Sequence, residues 1–114
     1  MKLPFADQAT VSERKISEYL LNADHPRGRG KARFFLRLGF SRDQPHVLGE
    51  ALMRLAATAE MDETTSIFGR KFVGTGQLET PGGRTVRVVT VWMLADGAPP
   101  PRLVTAYPAA GAGE

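Results

Sequence analysis

The 114-residue sequence has no cysteine, one tryptophan, two tyrosines and two histidines. The missing cysteine excludes disulfides, zinc–thiolate sites and thiol nucleophiles. His25 and His46 are far apart, and Asp62-Glu63 is an isolated acidic pair, so no spacing typical of a metal site is present. A nucleophile-elbow motif for a Ser/His/Asp hydrolase is also missing. We therefore expect neither a metal nor an organic cofactor.

Long hydrophobic runs are missing as well. No apolar run approaches the ~20 residues of a membrane-spanning helix, and the first residues lack the apolar stretch of a signal peptide. We therefore expect no membrane association and a cytoplasmic location, with export as part of a larger toxin as the alternative. The length and ordinary composition predict one α+β domain over residues 1–108 and a frayed tail over 109–114.

An apolar period near 3.6 predicts that the first half is helical, between Ser12 and Glu60. The motif Thr10–Glu13 fits a capping box for a first helix, which should stop near Asn22, ahead of a proline and glycines.

A second, short helix is expected from about Lys31 to Leu38, and Gly39 should end it. A third and longer helix should run to about Glu60, with Ser41 and Gln44 as its capping box and a proline in its first turn.

An apolar period of two predicts a four-stranded antiparallel meander from about Glu63 to Tyr107. We expect a tight turn at Gly69-Arg70, a bulge near Gly74 and Gly76, and a central strand over Thr85–Leu94. Helices followed by antiparallel strands define the α+β class.

Alternation along the last two strands groups polar and aromatic side chains. Thr90 and Trp92 share one face of their strand, and Thr105 and Tyr107 share one face of the next. If the aliphatic faces pack on the helices, these four side chains line the opposite face of the sheet. We expect that face to be a ligand floor.

The charge is concentrated in one segment. Between Asp24 and Arg42 the chain has six Lys/Arg and one acid, a net +5, whereas the whole chain is +3. The segment starts as a glycine-rich loop, and flexible glycines let backbone N–H groups approach a phosphate. This pattern predicts an anionic partner.

The candidate site residues follow from that partner. Four are candidates for catalysis, by proton transfer or by stabilising charge: His25, Lys31, Thr105 and Tyr107. Five are candidates for binding nucleic acid, by charge or by stacking on a base: Arg27, Arg29, Arg33, Trp92 and Arg102. Each also has a structural explanation. The histidine can hold the loop, the cations can be ordinary surface charges, the indole can be core, and Thr105 and Tyr107 can be a cross-strand pair.

Four motifs occur in order along the chain: Tyr-Leu-Leu-Asn at Tyr19–Asn22, His-Pro-x-Gly-x-x-Lys-Ala-x-Phe-Phe at His25–Phe35, Thr-Val-Trp at Thr90–Trp92 and Arg-Leu-Val-Thr-Ala-Tyr-Pro at Arg102–Pro108. Together they resemble a bacterial domain family of unknown function. The order of elements and the basic and aromatic residues more distantly resemble the ribonuclease toxins grouped with barnase, colicins and RelE. That resemblance implies helices before a four-stranded antiparallel sheet that holds the active site.

Three functions remain open at this stage. The first is a toxin-like, metal-independent ribonuclease that acts on RNA and is neutralised by a small acidic antitoxin or immunity protein. The second is a non-enzymatic module of the immunity or adaptor kind, whose basic loop binds an acidic protein. The third is a structural domain of a larger secreted toxin.

Overall fold

A computed structural model describes residues 1–27, 29–96 and 98–110. In these residues the helices come first and a four-stranded antiparallel sheet follows, which confirms the predicted α+β class. The elements are a 3-10 turn at Ala6–Gln8, α1 at Glu13–Lys15 continuing as a π-helical turn at Ile16–Leu20, α2 at Arg29–Arg37, α3 at Pro45–Thr58, β1 at Glu60–Ser66, β2 at Gly69–Glu79, β3 at Thr85–Ala95 and β4 at Arg102–Pro108.

The first helix begins and continues differently from the prediction. Its N-cap is Ser12, whose hydroxyl accepts a hydrogen bond from the Lys15 N–H, so the predicted capping box at Thr10 is wrong. From Ile16 the helix widens into a π turn, in which the Leu21 N–H donates to the Ile16 carbonyl at 2.7 Å. Such turns are rare and occur frequently at functional sites.

The second and third helices have different boundary signals. Gly39 follows α2 with φ of 102°, a conformation that favours glycine, as predicted. The predicted capping box of α3 is wrong, because the Gln44 side chain makes no cap and the Ser41 hydroxyl instead accepts from the Asp43 N–H. The proline in the first turn of α3 is present as expected.

The sheet has the strand order β1-β2-β3-β4, with each strand antiparallel to its neighbour. The first turn lies at Ile67-Phe68, not at Gly69-Arg70, because Gly69 already pairs with Ser66 and Ala95. The register shift lies between Val91 and Trp92 on the β4 side. Gly74 and Gly76 pair in register, so the predicted bulge there is wrong.

Gly76 has a packing role. A Cβ added at this position would lie 2.8 Å from Leu55 Cγ of α3, so only glycine lets this helix lie so close to β2. The core under α3 and its neighbours contains large side chains that are fully buried, among them Phe35, Phe72, Leu52 and Leu94.

The predicted polar floor of the sheet is wrong. Thr90 and Trp92 are 0% exposed and lie in the core. Thr105 pairs with Val91, and Tyr107 pairs with Val89. Val89 and Val91 alternate with Thr90 and Trp92 along β3, so Thr105 and Tyr107 point to the face opposite Thr90 and Trp92. The Thr90 hydroxyl accepts from the Trp92 indole at 2.9 Å and donates to the Gly74 carbonyl, so a polar side chain is satisfied inside the core.

Both ends of β4 are hydrogen-bonded to other segments of the same chain. Thr10 forms a parallel bridge with Arg102. The Thr10 N–H donates to the Pro101 carbonyl, and the Thr10 carbonyl accepts from the Leu103 N–H. Ala109 is buried and its N–H donates to the Arg87 carbonyl, so this residue is not frayed. Residues 111–114 of the predicted tail lie outside the described residues.

Candidate active site

The predicted cationic loop is helical from Arg29, so its charged side chains point in different directions around the helix. Side chains in an α-helix turn by about 100° per residue, so Arg29 and Arg33 share one face and Lys31 points roughly the opposite way. The two arginines are exposed, whereas Lys31 is half-buried. Gly28 lies outside the described residues.

Lys31 joins two distant parts of the chain. Its ammonium donates to the Tyr19 hydroxyl at 2.5 Å and to the Thr105 hydroxyl at 3.2 Å. It also lies 5.0 Å from the centroid of the Tyr19 ring, within range of a cation–π contact. We call Tyr19, Lys31 and Thr105 the hydroxyl–lysine cluster.

A second lysine lies beside the cluster. Lys15 donates from Nζ to the Val104 carbonyl at 2.9 Å and lies 6.0 Å from the centroid of the Tyr19 ring. Val104 is the extra residue of β4 at the register shift between β3 and β4, and Thr105 is the next residue, so the regular alternation of β4 is interrupted here. The shift therefore places a backbone carbonyl and a hydroxyl where the two lysines reach them.

These neighbours change the acidity of Tyr19. Burial acts to raise the pKa of the phenol, while hydrogen bonds with Lys31 and Thr105 and the charges of Lys31 and Lys15 lower it. The lowering effects prevail, so the pKa of Tyr19 lies below its ordinary value of 10.0. The phenolate of Tyr19 therefore forms at a lower pH than that of an isolated tyrosine.

His25 packs against the same tyrosine. The two rings meet edge to face, with centroids 5.1 Å apart and planes at 79°. The Arg27 N–H donates to His25 Nδ1 at 3.1 Å, which places the proton of the neutral imidazole on Nε2.

These groups surround an open cleft of about 440 Å³. Its described lining residues are Lys15, Tyr19, His25, Arg27, Lys31, Val104 and Thr105. Three of them are cations and none is a carboxylate. The cleft is therefore suited to an anion.

The cleft contains part of the predicted site. His25, Lys31, Thr105 and Arg27 line it together, although they come from a turn, a helix and a strand. Arg102 lines the neighbouring depression instead.

The remaining predicted residues lie elsewhere. Arg29, Arg33 and Tyr107 are not among the described residues lining the cleft, although Tyr107 is 36% exposed. Trp92 has no exposed surface, so the expectation that it stacks on a base is wrong.

Three residues of the cleft were missed from sequence: Lys15, Tyr19 and Val104, which contributes its backbone carbonyl. Tyr19 falls at a helical spacing with Ile16 and Leu20, which predicts a core position, and Lys15 has no feature that separates it from other surface lysines. The Tyr-Leu-Leu-Asn motif was the one available signal for Tyr19.

The described residues contain neither a metal-binding cluster nor a membrane-spanning helix. No group of three or more His, Asp or Glu side chains within these residues has the proximity needed to hold a metal ion. None of the helices in this part of the chain has the length and apolar character required to cross a membrane.

Comparison with known proteins places the chain in a family. The profile of the family described as Domain of unknown function (DUF6883) matches residues 2–110. The chain belongs to this family. Among curated proteins none matches this sequence.

One solved structure provides a fold comparison. This family member is similar to a chain of the contact-dependent growth inhibition toxin–immunity protein complex from Klebsiella pneumoniae 342, with a TM-score of 0.69 and 16% identity. The similarity covers 93% of this chain and 97% of the other. At this identity the match establishes a shared fold.

Proposed function

We propose that this domain is a toxin-type ribonuclease that cleaves RNA without a metal ion. The observation that carries the proposal is the hydroxyl–lysine cluster, in which a tyrosine of lowered pKa contacts a lysine inside a cationic cleft. A tyrosine that can exchange a proton and cations that can hold a phosphate are the components of general acid–base cleavage.

The charges of the cleft favour a phosphodiester over a neutral substrate. Lys15 and Lys31 are held by a carbonyl and by hydroxyls, and in the described chain neither takes part in a salt bridge. Their positive charges are therefore not neutralised by a carboxylate. They can stabilise the extra negative charge that a phosphate gains in the transition state.

The reaction follows from these parts. The 2′-oxygen of RNA attacks the neighbouring phosphorus and loses its proton to the Tyr19 phenolate. The bond from phosphorus to the 5′-oxygen breaks, and that oxygen takes a proton from water. The hydroxide that remains removes the proton from Tyr19 and restores the phenolate. The products are a 2′,3′-cyclic phosphate and a free 5′-hydroxyl.

In this scheme Lys31 and Lys15 stabilise the phosphate charge, and His25 holds the ring of Tyr19 by edge-to-face packing. Thr105 positions Lys31. Tyr107, a catalytic candidate from the sequence, has no role in this scheme.

The toxin assignment has separate support. The similar solved chain belongs to a complex of a growth-inhibition toxin and its immunity protein. A cationic cleft would suit an acidic immunity protein as inhibitor, because such a partner would cover the cations and exclude RNA. The alternative function, an immunity-type module that binds an acidic partner through the same cations without catalysis, uses the same surface.

The test is cleavage of total bacterial RNA by the purified chain in excess EDTA, followed by mapping of the cut sites and of the new ends. We expect defined cuts that leave cyclic phosphates. Intact RNA from pH 5 to 9, with or without magnesium, would overturn the ribonuclease proposal. Tight binding of an acidic protein under those conditions would favour the interaction module.

A further inference from the structure

The active-site cleft is one of three adjoining depressions that share lining residues. The first is lined by Thr10, Val11, Ser12, Lys15, Pro100, Arg102 and Leu103, and has a volume of about 440 Å³. The third is lined by Ser12, Arg14, Lys15, Glu18, Tyr19 and His25. Lys15 lines all three, so they form one continuous groove across α1 and the edge of β4.

The depression beside Arg102 has the character of a binding site for one more nucleotide. Arg102 is exposed and, within the described chain, takes part in no salt bridge. Val11, Pro100 and Leu103 line the same depression and provide apolar surface for a sugar or base.

The position of Arg102 is fixed by the backbone. The parallel bridge to Thr10 holds both sides of the residue, through Pro101 O at 2.9 Å and Leu103 N at 3.1 Å. Arg102 begins β4 and Thr105 follows three residues later, so their backbones lie roughly 10 Å apart along the strand. An extended strand of RNA in the groove can therefore have one phosphate at Lys31 and the next one at Arg102.

The third depression is less favourable for an anion. It contains Glu18, whose carboxylate pairs with Arg14 at 3.2 Å. The positive charge of the groove therefore continues from the active-site cleft toward Arg102.

We propose that Arg102 holds a phosphate next to the scissile one, so that the substrate is a single-stranded polynucleotide segment and not a dinucleotide. This inference rests on the proposed function of the central cleft. Single-stranded RNA fits because its bases can turn away from the backbone and contact the apolar wall of the groove.

A contact remote from the reacting bond acts through binding. We therefore expect Arg102→Gln to lower kcat/KM for a long substrate by roughly tenfold, the range of a charge-assisted hydrogen bond. A dinucleotide does not reach Arg102, so its kcat/KM should change less than about twofold.

The experiment compares wild type, Arg102→Gln and Arg84→Gln on two substrates from a mapped cut site, a decanucleotide and the central dinucleotide. Arg84 is exposed at the turn between β2 and β3 and lines none of the three depressions, so it controls for loss of one surface charge. A selective loss for Arg102→Gln on the decanucleotide supports the subsite. Equal losses on both substrates, or none on the decanucleotide, would overturn it.

A neutral methylphosphonate at single positions of the decanucleotide identifies the phosphate involved. At that position the substitution should weaken wild-type cleavage and have no further effect in Arg102→Gln, because both changes remove the same contact. Fully additive losses at every position would contradict the assignment.

A binding measurement separates failure of the subsite from failure of the ribonuclease proposal. If the wild-type chain cleaves neither substrate, the ribonuclease proposal fails, and affinity for a non-cleavable 2′-O-methyl decanucleotide tests Arg102 alone. Weaker binding by Arg102→Gln than by Arg84→Gln supports a phosphate contact. Equal binding by both variants would overturn it.

Discussion

Lys31 and Arg70 are two cations in similar surroundings that have different partners. Each lies over an aromatic ring, Lys31 at 5.0 Å from the centroid of Tyr19 and Arg70 at 5.2 Å from that of Phe72. Arg70 also donates to both carboxylate oxygens of Glu63, at 2.6 and 2.9 Å. Lys31 donates to two hydroxyls instead.

The difference determines what each charge is available for. The carboxylate of Glu63 neutralises Arg70. The hydrogen bond between them lowers the pKa of Glu63 and raises the pKa of Arg70. The hydroxyls position Lys31 without neutralising it, so its charge remains available to a ligand. Arg70 thus stabilises the hairpin of β1 and β2, whereas Lys31 forms part of a site.

The largest expected effect is on the tyrosine beside Lys31. Tyr19→Phe keeps the ring that packs on His25 and removes the hydroxyl that exchanges the proton. We expect cleavage to slow by about 10²–10⁴-fold, the usual contribution of general acid–base catalysis. The measurement is single-turnover cleavage, with thermal unfolding to verify the fold.

Tyr107→Phe makes the same chemical change outside the cleft, and we expect wild-type cleavage from it. A slow Tyr107→Phe combined with an active Tyr19→Phe would reverse the assignment and restore the sequence-based prediction.

Removing the charge at each cation tests the comparison itself. Lys31→Met keeps an aliphatic side chain over Tyr19 and should slow cleavage by about 10²–10³-fold, as expected for loss of one group that stabilises transition-state charge. Arg70→Met makes the corresponding change over Phe72 and should leave the rate within about twofold. Equal losses in the two variants would show that general surface charge, and not the cleft, controls the rate.

The acidity of Tyr19 provides a test that needs no substrate. In Lys31→Met the burial remains, while the hydrogen bond and the nearest charge disappear, so the pKa of Tyr19 should rise. Tyrosinate absorbance or NMR during an alkaline titration measures it, and Arg70→Met should leave it unchanged. An unchanged pKa in Lys31→Met would contradict the role given to Lys31.

The same shift makes the stability of the fold depend on pH in alkali. The folded-state pKa of Tyr19 is depressed, so its stabilising contribution is complete only above the ordinary value of 10.0. The contribution is lost as the pH falls through the folded-state pKa. Tyr19→Phe should therefore lose a stabilisation that wild type gains as the pH rises into the alkaline range, which urea unfolding at several pH values measures.

The smallest expected effect concerns the pair at Arg70. The pKa of Glu63 is depressed by Arg70, so the pair stabilises the fold above the ordinary value of 4.5 and stops doing so as the pH falls through the folded-state value. Glu63→Gln should lower the urea midpoint slightly at neutral pH and match wild type at about pH 2. A difference that persists in acid would mean that the carboxylate charge is not the cause.

Much of the fold followed from the sequence because apolar spacing and glycine chemistry act locally. The change of period near Met61 predicted helices before strands, and Gly39 ended α2 where its left-handed conformation was needed. Alternation on β3 correctly put Thr90 and Trp92 on one face. It did not indicate which face the helices cover, because Thr90 satisfies its hydroxyl inside the core.

The site was only partly predictable, for a different reason. His25, Lys31 and Thr105 were predicted because their side chains can transfer protons or stabilise charge, and the fold brings them to one cleft. The π turn that carries Tyr19 and the register shift beside Val104 depend on tertiary packing, and no local residue pattern specifies them. The Tyr19 phenol and the Val104 carbonyl, which complete the cleft, were therefore not predicted.

The most direct test of the central claim uses a DNA oligonucleotide with one ribonucleotide at a mapped cut site, incubated with the wild-type chain in EDTA. The account predicts a single cut after the ribonucleotide that leaves a 2′,3′-cyclic phosphate, with the rate strongly reduced in Lys31→Met and retained in Arg70→Met. Cleavage of the all-DNA strand at the same rate, or cleavage only when magnesium is restored, would contradict it.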